Sequence, residues 1–577
     1  MKNTSIALLI VMLLNSVCSF AQAPRTPKEF TDSYDAYLRR TMERLPDIPG
    51  MAVVVIKDDK PIFVRAYGMA DREAGIKADT DTLFYIASST KAFTALAAAM
   101  LDQEGKIKFS DPVTKYAAGV SFKNQIPDKV TVRDLLTHTS GLKNDVLVNR
   151  LAFSGQIDQR EIDRVFAEAT TFTDANYGTY AYDNLGYNVY GLLLQNSLKI
   201  QWQDLLQKRV FDPAGLKHTT ARMSQARAKK WNVAAPYILD PSAGTILRSV
   251  LDKSDENMQS AGGMFMSISD LGRWINLNMN AGKLDGKQVI PADLIRNAQT
   301  GYTKTVREQP PFSGEGEYGL GWQIGKYRSD KVIYHHGGFA GYRSHVSFMP
   351  DKKIGVGVLV NNDIVGGRAA DMVATYAYDW WSNTENLEAD YTKQLQDLFD
   401  NYEKRKQQVH AAAVERSKRT WQLSKRFADY AGKYTNDIFG TMEIMPRENA
   451  LAVRMGKINA VATPFTEKDT IRVEMIPGGN GEVIRFNIVG DKAESLNYAG
   501  VVLKRVAPYP SLFRRAICRR RLRPVRSGRI RLFRVEQELK TEPLTPAPPR
   551  LRGTTKDNPR ARRFCQAPAA IKLRPAN

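Results

Sequence analysis

The chain has 577 residues, 43% apolar and 9% aromatic, which gives room for more than one packed domain and excludes a fibrous or wholly disordered polymer. Its net charge of +22 is concentrated at one end: of 83 basic and 61 acidic residues, 19 and 4 lie beyond Ala507, so residues 508–577 carry +15 and the rest +7. The body is therefore not a basic nucleic-acid binder, and with cysteines only at positions 18, 518 and 565 it holds neither a disulfide nor a thiolate metal centre.

Lys2, the apolar block Ile6–Leu14 and the small-residue site Ala21-Gln22-Ala23 predict a cleavable secretory signal over 1–23. Nine apolar residues are too few for a bilayer span, which takes about 20. Contact with a membrane is thus expected only through the cleaved signal, and the mature protein is expected in the periplasm or outside the cell. An amphipathic helix over Glu29–Leu45 comes next. The apolar runs Met51–Ile56 and Pro61–Tyr67, around the polar turn Lys57-Asp58-Asp59-Lys60, read as a hairpin. Phe93–Leu101 is apolar on every side and predicts a helix buried on all faces. Residues 126–300 are mostly helical patterns broken by Gly and Pro. Strands are expected at Val332–Tyr334, His345–Met349 and Ile354–Leu359, followed by a helix at Ala369–Trp381. Strands at both ends with helices between them predict one α/β domain over 24–383.

The charged stretch 384–425 reads as a linker helix or helical hairpin. Alternating runs such as Thr441–Ile444, Leu451–Val453 and Ile471–Met475 predict a small β-rich domain over 426–507. Residues 508–577 favour Arg over Lys by 16 to 3 and are rich in Pro. They have the composition of a disordered tail or of a frameshifted reading, and no nucleic-acid partner is expected from them.

Candidate chemistry begins at Ser88-Ser89-Thr90-Lys91, where a hydroxyl and an amine three residues apart share a helix face. A serine needs a base to become a nucleophile, and an amine among apolar neighbours loses its proton more easily. About two Ser-x-x-Lys matches arise by chance in such a chain, and Ser140-Gly141-Leu142-Lys143 is one, read as a turn after a short helix. Ser88 differs in its company. Tyr182-Asp183-Asn184 sits on a turn before an apolar helix, placing a phenol and an amide two residues apart. His336-Gly337-Gly338 follows the strand Val332–Tyr334, and there glycines permit close backbone approach. The N–H of Phe339 is expected to complete an oxyanion hole with that of Ser88. His335, pointing to the opposite side of the strand from His336, is expected to be structural or solvent-facing.

Other motifs carry less. Gly314-Glu315-Gly316-Glu317-Tyr318-Gly319 matches a dinucleotide fingerprint in letters, but it follows Pro310-Pro311 and brings two carboxylates toward any phosphate, so no cofactor is expected. The six histidines form no His-Glu-x-x-His, so no metal is expected either. A Gly-x-Ser-x-Gly elbow is missing.

These elements, in this order, resemble the superfamily of class C β-lactamases, penicillin-binding proteins, esterases and D-aminopeptidases. The resemblance extends through Asp134-Leu135-Leu136-Thr137-His138-Thr139-Ser140-Gly141-Leu142 and Phe211-Asp212-Pro213-Ala214-Gly215-Leu216. It includes Ser260-Ala261-Gly262-Gly263-Met264 and Tyr318-Gly319-Leu320-Gly321-Trp322 as well. It implies a β-lactamase/transpeptidase-like fold, an antiparallel sheet flanked by helices plus an all-helical region, followed by a small β-rich domain. It implies Ser88 as nucleophile, Lys91 and Tyr182 as the proton-transfer pair, and Asn184, His336, Gly338 and Phe339 as substrate contacts. The expected substrates are D-amino-acid peptides, their amides or small esters, with a β-lactamase or a non-catalytic penicillin-binding sensor as alternatives. Where β-lactamases usually carry Lys-Thr-Gly this chain has His336-Gly337-Gly338, which removes a permanent cation and argues against efficient penicillin hydrolysis.

Overall fold

The computed structural model describes residues 26–117, 120, 122–154, 159–305, 310–475 and 481–506. The expected signal peptide and the basic tail lie outside them. Nine antiparallel strands form the first sheet: β1 (Gly50–Lys57), β2 (Lys60–Asp71), β3 (Ile76–Lys77), β4 (Thr303–Thr305), β5 (Ser313–Tyr318), β6 (Gln323–Tyr327), β7 (Asp330–Phe339), β8 (Tyr342–Met349) and β9 (Ile354–Val360). Their spatial order is β4-β5-β6-β7-β8-β9-β1-β2-β3. The first and last parts of the chain thus meet at the β1–β9 ladder, Met51 opposite Val360 through Lys57 opposite Ile354. The dinucleotide-like letters at 314–319 fall mainly in β5, an ordinary strand.

Alternation divides the sheet between two cores. Met51, Val53, Val55, Val356 and Val358 face α1 (Pro27–Arg44) and a helix over Gly366–Trp381. Ala52, Val54 and Ile56 face the larger core, built around α2 (Thr90–Gln103) and a helix over Ile268–Met279. Every residue from Thr90 to Leu101 is buried, as its apolar circumference requires. Alanines keep this helix thin enough to be surrounded. Phe93 stacks on Trp274 at 3.7 Å, Trp274 on Trp322 at 6.3 Å, and Trp322 meets Phe348 edge-on at 5.4 Å. This aromatic row runs from the buried helix to the sheet.

Four further helices used below are, in chain order, α3 (Leu185–Leu193), α4 (Ile268–Met279), α5 (Gly366–Trp381) and α6 (Leu387–Ser417). The inserted region 126–300 is mainly helical, as its patterns predict, yet it is not the all-helical region that the resemblance implies. Short α, 3-10 and π turns alternate there with two-stranded pieces such as Tyr237–Asp240 with Thr245–Arg248. The stretch read as a linker is also more than that. α6 is one 31-residue helix whose Leu387, Tyr391, Leu395 and Tyr402 join the core around α1 and α5.

Residues 432–505 form a second nine-stranded antiparallel sheet. Its two edge strands, Ile458–Val461 and Thr463–Pro464, are neighbours in sequence, so the meander curls into a nearly closed barrel. Its interior is filled by Tyr434, Met442, Val453, Ile471, Phe486 and Leu503 among others. Leu251 of the first domain belongs to the same cluster, and Phe153 and Phe339 pack against it.

Replacing Phe93 by Ala removes the ring that links α2 to α4. This change is expected to cost about 3–5 kcal/mol, as large-to-small aromatic core changes do. A urea midpoint moved by the equivalent of less than about 1 kcal/mol would refute that role for the stack.

Candidate active site

Ser88 lies in the 3-10 turn Ala87–Ser89 that leads directly into α2, so its hydroxyl and N–H sit at the positive end of a helix. Ala87 before it has φ +45, a left-handed conformation that a non-glycine residue holds only under constraint. Part of that constraint is visible. A Cβ at Gly337 on β7 would stand 2.0 Å from the carbonyl oxygen of Ile86, so the glycine lets the strand press against the chain just before Ser88. Ser89 Oγ and Ser344 Oγ, 2.9 Å apart, bridge the same seam, and Ser344 Oγ donates to the Ile86 carbonyl at 2.8 Å.

One helical turn on, the Lys91 side chain is fully buried, with Nζ 3.2 Å from Ser88 Oγ. Nζ also donates to Asn184 Oδ1 at 2.7 Å and to the Ala261 carbonyl at 2.8 Å. Burial lowers its pKa to about 7, against a smaller opposing pull from Asp183. Its other close neighbours are the rings of Tyr182 and Tyr187, with centroids 5.0 and 5.5 Å away.

The Tyr182 residue is 42% exposed and lines a second open cavity with His138, Ser140 and Asn184. Its hydroxyl end faces Ser88 in surroundings that raise the phenol pKa above the ordinary value, while the Ser88 contact works the other way. The phenol therefore stays protonated. Ser88, Lys91, Tyr182 and Asn184 are brought together as expected. A neutral amine, a hydroxyl and a protonated phenol in one cluster can move a proton off the serine and on to a leaving group.

The histidine expectation is reversed. His335, not His336, faces the cluster around Ser88: its ring centroid is 6.2 Å from that of Tyr182, and Nε2 is 3.4 Å from the Tyr318 hydroxyl. Burial and the nearby Lys91 lower its pKa to about 3, so it is neutral. His336 points through the opposite face of the sheet toward His345 and Asp371, away from Ser88. The alternation rule was right, but the phase assigned to it was wrong by one residue.

Phe339 also needs correction. It pairs with Tyr342 across the two-residue turn Ala340-Gly341, where flanking residues exchange both ladder bonds, so its N–H belongs to the hairpin. The next residue inward, Gly338, then directs its N–H away from β8. Gly338 lines a small open cavity of about 60 Å³ together with Ala87, Ser88, Asn184 and the Phe339 ring.

That cavity holds groups the motifs did not single out. Lys253 is 5% exposed, with Nζ 3.4 Å from the centroid of Phe339 and 4.9 Å from that of Tyr85. Its one hydrogen bond among the described residues goes to the Ala152 carbonyl at 3.3 Å, and desolvation lowers its pKa to about 7. Asn188, with both amide atoms unpaired, and Gln259, with Nε2 unpaired, line the same cavity. Only the coincidence of a Lys with a buried environment would have found Lys253, and burial is not written in its local sequence.

The quoted landmark motifs frame this site. Ala261 accepts from Lys91, and the Met264 carbonyl accepts from the Ile86 N–H at 3.0 Å. His138 holds the Tyr182 loop from both sides: its carbonyl accepts from Ala181 N–H at 2.9 Å, and its Nδ1 accepts from Asp183 N–H at 3.4 Å. Gly321, at φ +76, packs on the backbone of Lys91 and Ala92, where any Cβ would stand 2.5 Å from the Ala92 nitrogen and Cα. Ser140 is left as the turn it was read to be, accepting from the Leu142 N–H.

Residues 38–378 match the family model described as Beta-lactamase. A similar protein is "Unguisins hydrolase ungD" of Aspergillus violaceofuscus, 26% identical over 466 residues that cover 75% of this chain and 80% of that protein. "Protein flp" of Staphylococcus aureus is 25% identical over 321 residues, 54% of this chain and 60% of that protein, so the chain spans less than two thirds of it. Among solved structures, the octameric penicillin-binding protein homologue from Pyrococcus abyssi superposes with a TM-score of 0.53 at 22% identity, covering 82% of this chain and 99% of that one, a likeness of fold. The expected β-lactamase/transpeptidase-like fold with a C-terminal β-rich region is thereby established. With more than half of its length matched by the family model, the chain belongs to the beta-lactamase family of serine hydrolases.

Proposed function

We propose that this protein is an exported hydrolase that works through an acyl-enzyme on Ser88, acting on D-amino-acid peptides, their amides or small esters. The observation that carries this reading is the buried Lys91 amine, 3.2 Å from Ser88 Oγ and held near neutrality of charge at physiological pH. In its neutral form Lys91 takes the Ser88 proton as Oγ attacks the substrate carbonyl. The N–H groups of Ser88 and Gly338 receive the developing oxyanion. Tyr182 passes a proton to the departing amine or alcohol and is reprotonated from Lys91, leaving the acyl group on Ser88. Water, activated by the same pair, then releases the acid. Asn184 holds the lysine and faces the cavity, which suits contact with a substrate amide.

Lys253 refines the substrate. The cation missing from β7 has a counterpart on another wall of the cavity: an amine with no carboxylate partner among the described residues. A substrate carboxylate near the scissile bond would pair with it, assisted by the donors of Asn188 and Gln259. β-Lactams and C-terminal D-amino acids both carry such a group.

Ser88→Ala is expected to abolish labelling by a fluorophosphonate, and a mutant still labelled would place the nucleophile elsewhere. Because the base works unprotonated, kcat/KM for neutral p-nitrophenyl esters, which do not need the Lys253 charge, should rise as pH increases through about 7 and level off above it. Lys91→Ala should slow acylation by several orders of magnitude, and an unchanged rate would remove it from the mechanism. For Lys253→Met, KM for carboxylate-bearing esters should rise about 10- to 100-fold, the worth of one charge-assisted hydrogen bond. Neutral p-nitrophenyl esters should be little affected. Equal losses on both substrate types would reduce Lys253 to a packing role.

A further inference from the structure

On the face of the sheet away from Ser88, His336 of β7, His345 of β8 and Asp371 of α5 converge. Nε2 of His336 is 3.2 Å from Nδ1 of His345 and 3.1 Å from Oδ1 of Asp371, and His345 Nδ1 is 2.9 Å from the same oxygen. These three contacts cannot all be good hydrogen bonds. If both imidazoles donate to the carboxylate, their two N–H groups confront each other; if one imidazole accepts from the other, its lone pair faces the carboxylate oxygen. A cation shared by the three atoms satisfies every lone pair at once.

We propose that His336, His345 and Asp371 form a binding site for a divalent transition cation, zinc in the first instance, that ties the β7–β8 hairpin to α5 behind the catalytic strand. A triangle with those edges has a circumradius of roughly 1.8 Å, so an ion roughly 1 Å off its plane lies about 2.0–2.1 Å from every corner, the usual zinc–nitrogen and zinc–oxygen distance. Two imidazoles and a carboxylate suit zinc among the common divalent ions.

The surroundings are those of a ligand set. His345 Nε2, the nitrogen turned away from the triangle, is 2.7 Å from Ser347 Oγ, which is 2.6 Å from the Tyr378 hydroxyl; such an outer bond fixes the tautomer that leaves Nδ1 free to bind metal. The buried Phe312 ring lies 5.7 Å from His345 and 6.1 Å from His336. Asp371 and His336 retain 16% and 29% side-chain exposure, so a water has access as fourth ligand. No sequence spacing announced the cluster, because its members come from two strands and a helix, 9 and 26 residues apart. Among the described residues it is the single group of three or more such side chains with ligand atoms this close.

The test uses the full chain, stripped with chelator, reloaded with zinc chloride or cobalt chloride and passed through gel filtration. The expected result is one zinc per chain by elemental analysis and a rise in melting temperature that chelator reverses. Cobalt should give visible bands of four-coordinate intensity without a near-ultraviolet thiolate band. Asp371→Asn and His336→Gln keep hydrogen-bonding shape and should fold, as circular dichroism would record, yet lose the ion. Wild-type protein that retains no metal overturns the proposal. So does equal binding by either variant, or a thiolate band, which would move the ion to Cys518 or Cys565.

Discussion

An ammonium group with no exposed surface is the constraint around which this molecule is arranged. Lys91 sits one turn inside a helix buried on every side, where a charged amine is disfavoured by roughly 5 kcal/mol relative to water, as a fall in pKa from 10.5 to about 7 implies. A carboxylate in direct contact would have removed that penalty and with it the neutral amine. Instead the chain supplies an amide oxygen, a main-chain carbonyl and two aromatic faces, which orient Nζ without fixing its charge. The nearest acid, Asp183, acts only at a distance and is itself held partly toward its neutral form by burial, with its Oδ1 accepting the Gly186 N–H.

Keeping such a group in place demands a stiff frame. The aromatic row from Phe93 to Phe348 anchors α2 to the sheet, and the seam at Gly337 holds the strained turn at Ala87 against β7. His138, a neutral buried imidazole in a left-handed conformation of its own, performs the same service for the loop that carries Tyr182. Each of these contacts crosses between segments far apart in sequence. The site therefore forms only with the whole domain, which suits chemistry that depends on tenths of an ångström.

Local pattern carried much of the fold. The hairpin at 50–71, the all-round apolar helix at 90–103 and the strands after Asp330 follow from periodicities of 2 and 3.6 that no tertiary contact overrides. The candidate cluster was legible because Ser88 and Lys91 are neighbours on one helix and Tyr182 and Asn184 neighbours on one turn. What failed was phase and depth. Two adjacent histidines on a strand face opposite ways, and nothing local says which faces Ser88. Gly338 rather than Phe339 has the outward N–H because a two-residue turn fixes the ladder's parity. Lys253 is an unremarkable residue in a polar stretch until folding places it under two aromatic rings. In the inserted region the helices α3 and α4 follow their patterns, while the two-stranded pieces between helices are too short to show a period.

The seat of the barrel has a consequence for how such an enzyme could diversify. Arg150 reaches the Ile438 carbonyl at 2.7 Å, Lys457 donates to Ser254 Oγ at 2.7 Å, and Phe339, a wall of the catalytic cavity, also packs against the barrel's own core cluster. The loops that border the cavity are thus clamped from outside by a module that contributes none of the groups around Ser88. Drift in the barrel's surface residues can reshape the pocket by shifting those loops, leaving the chemistry untouched.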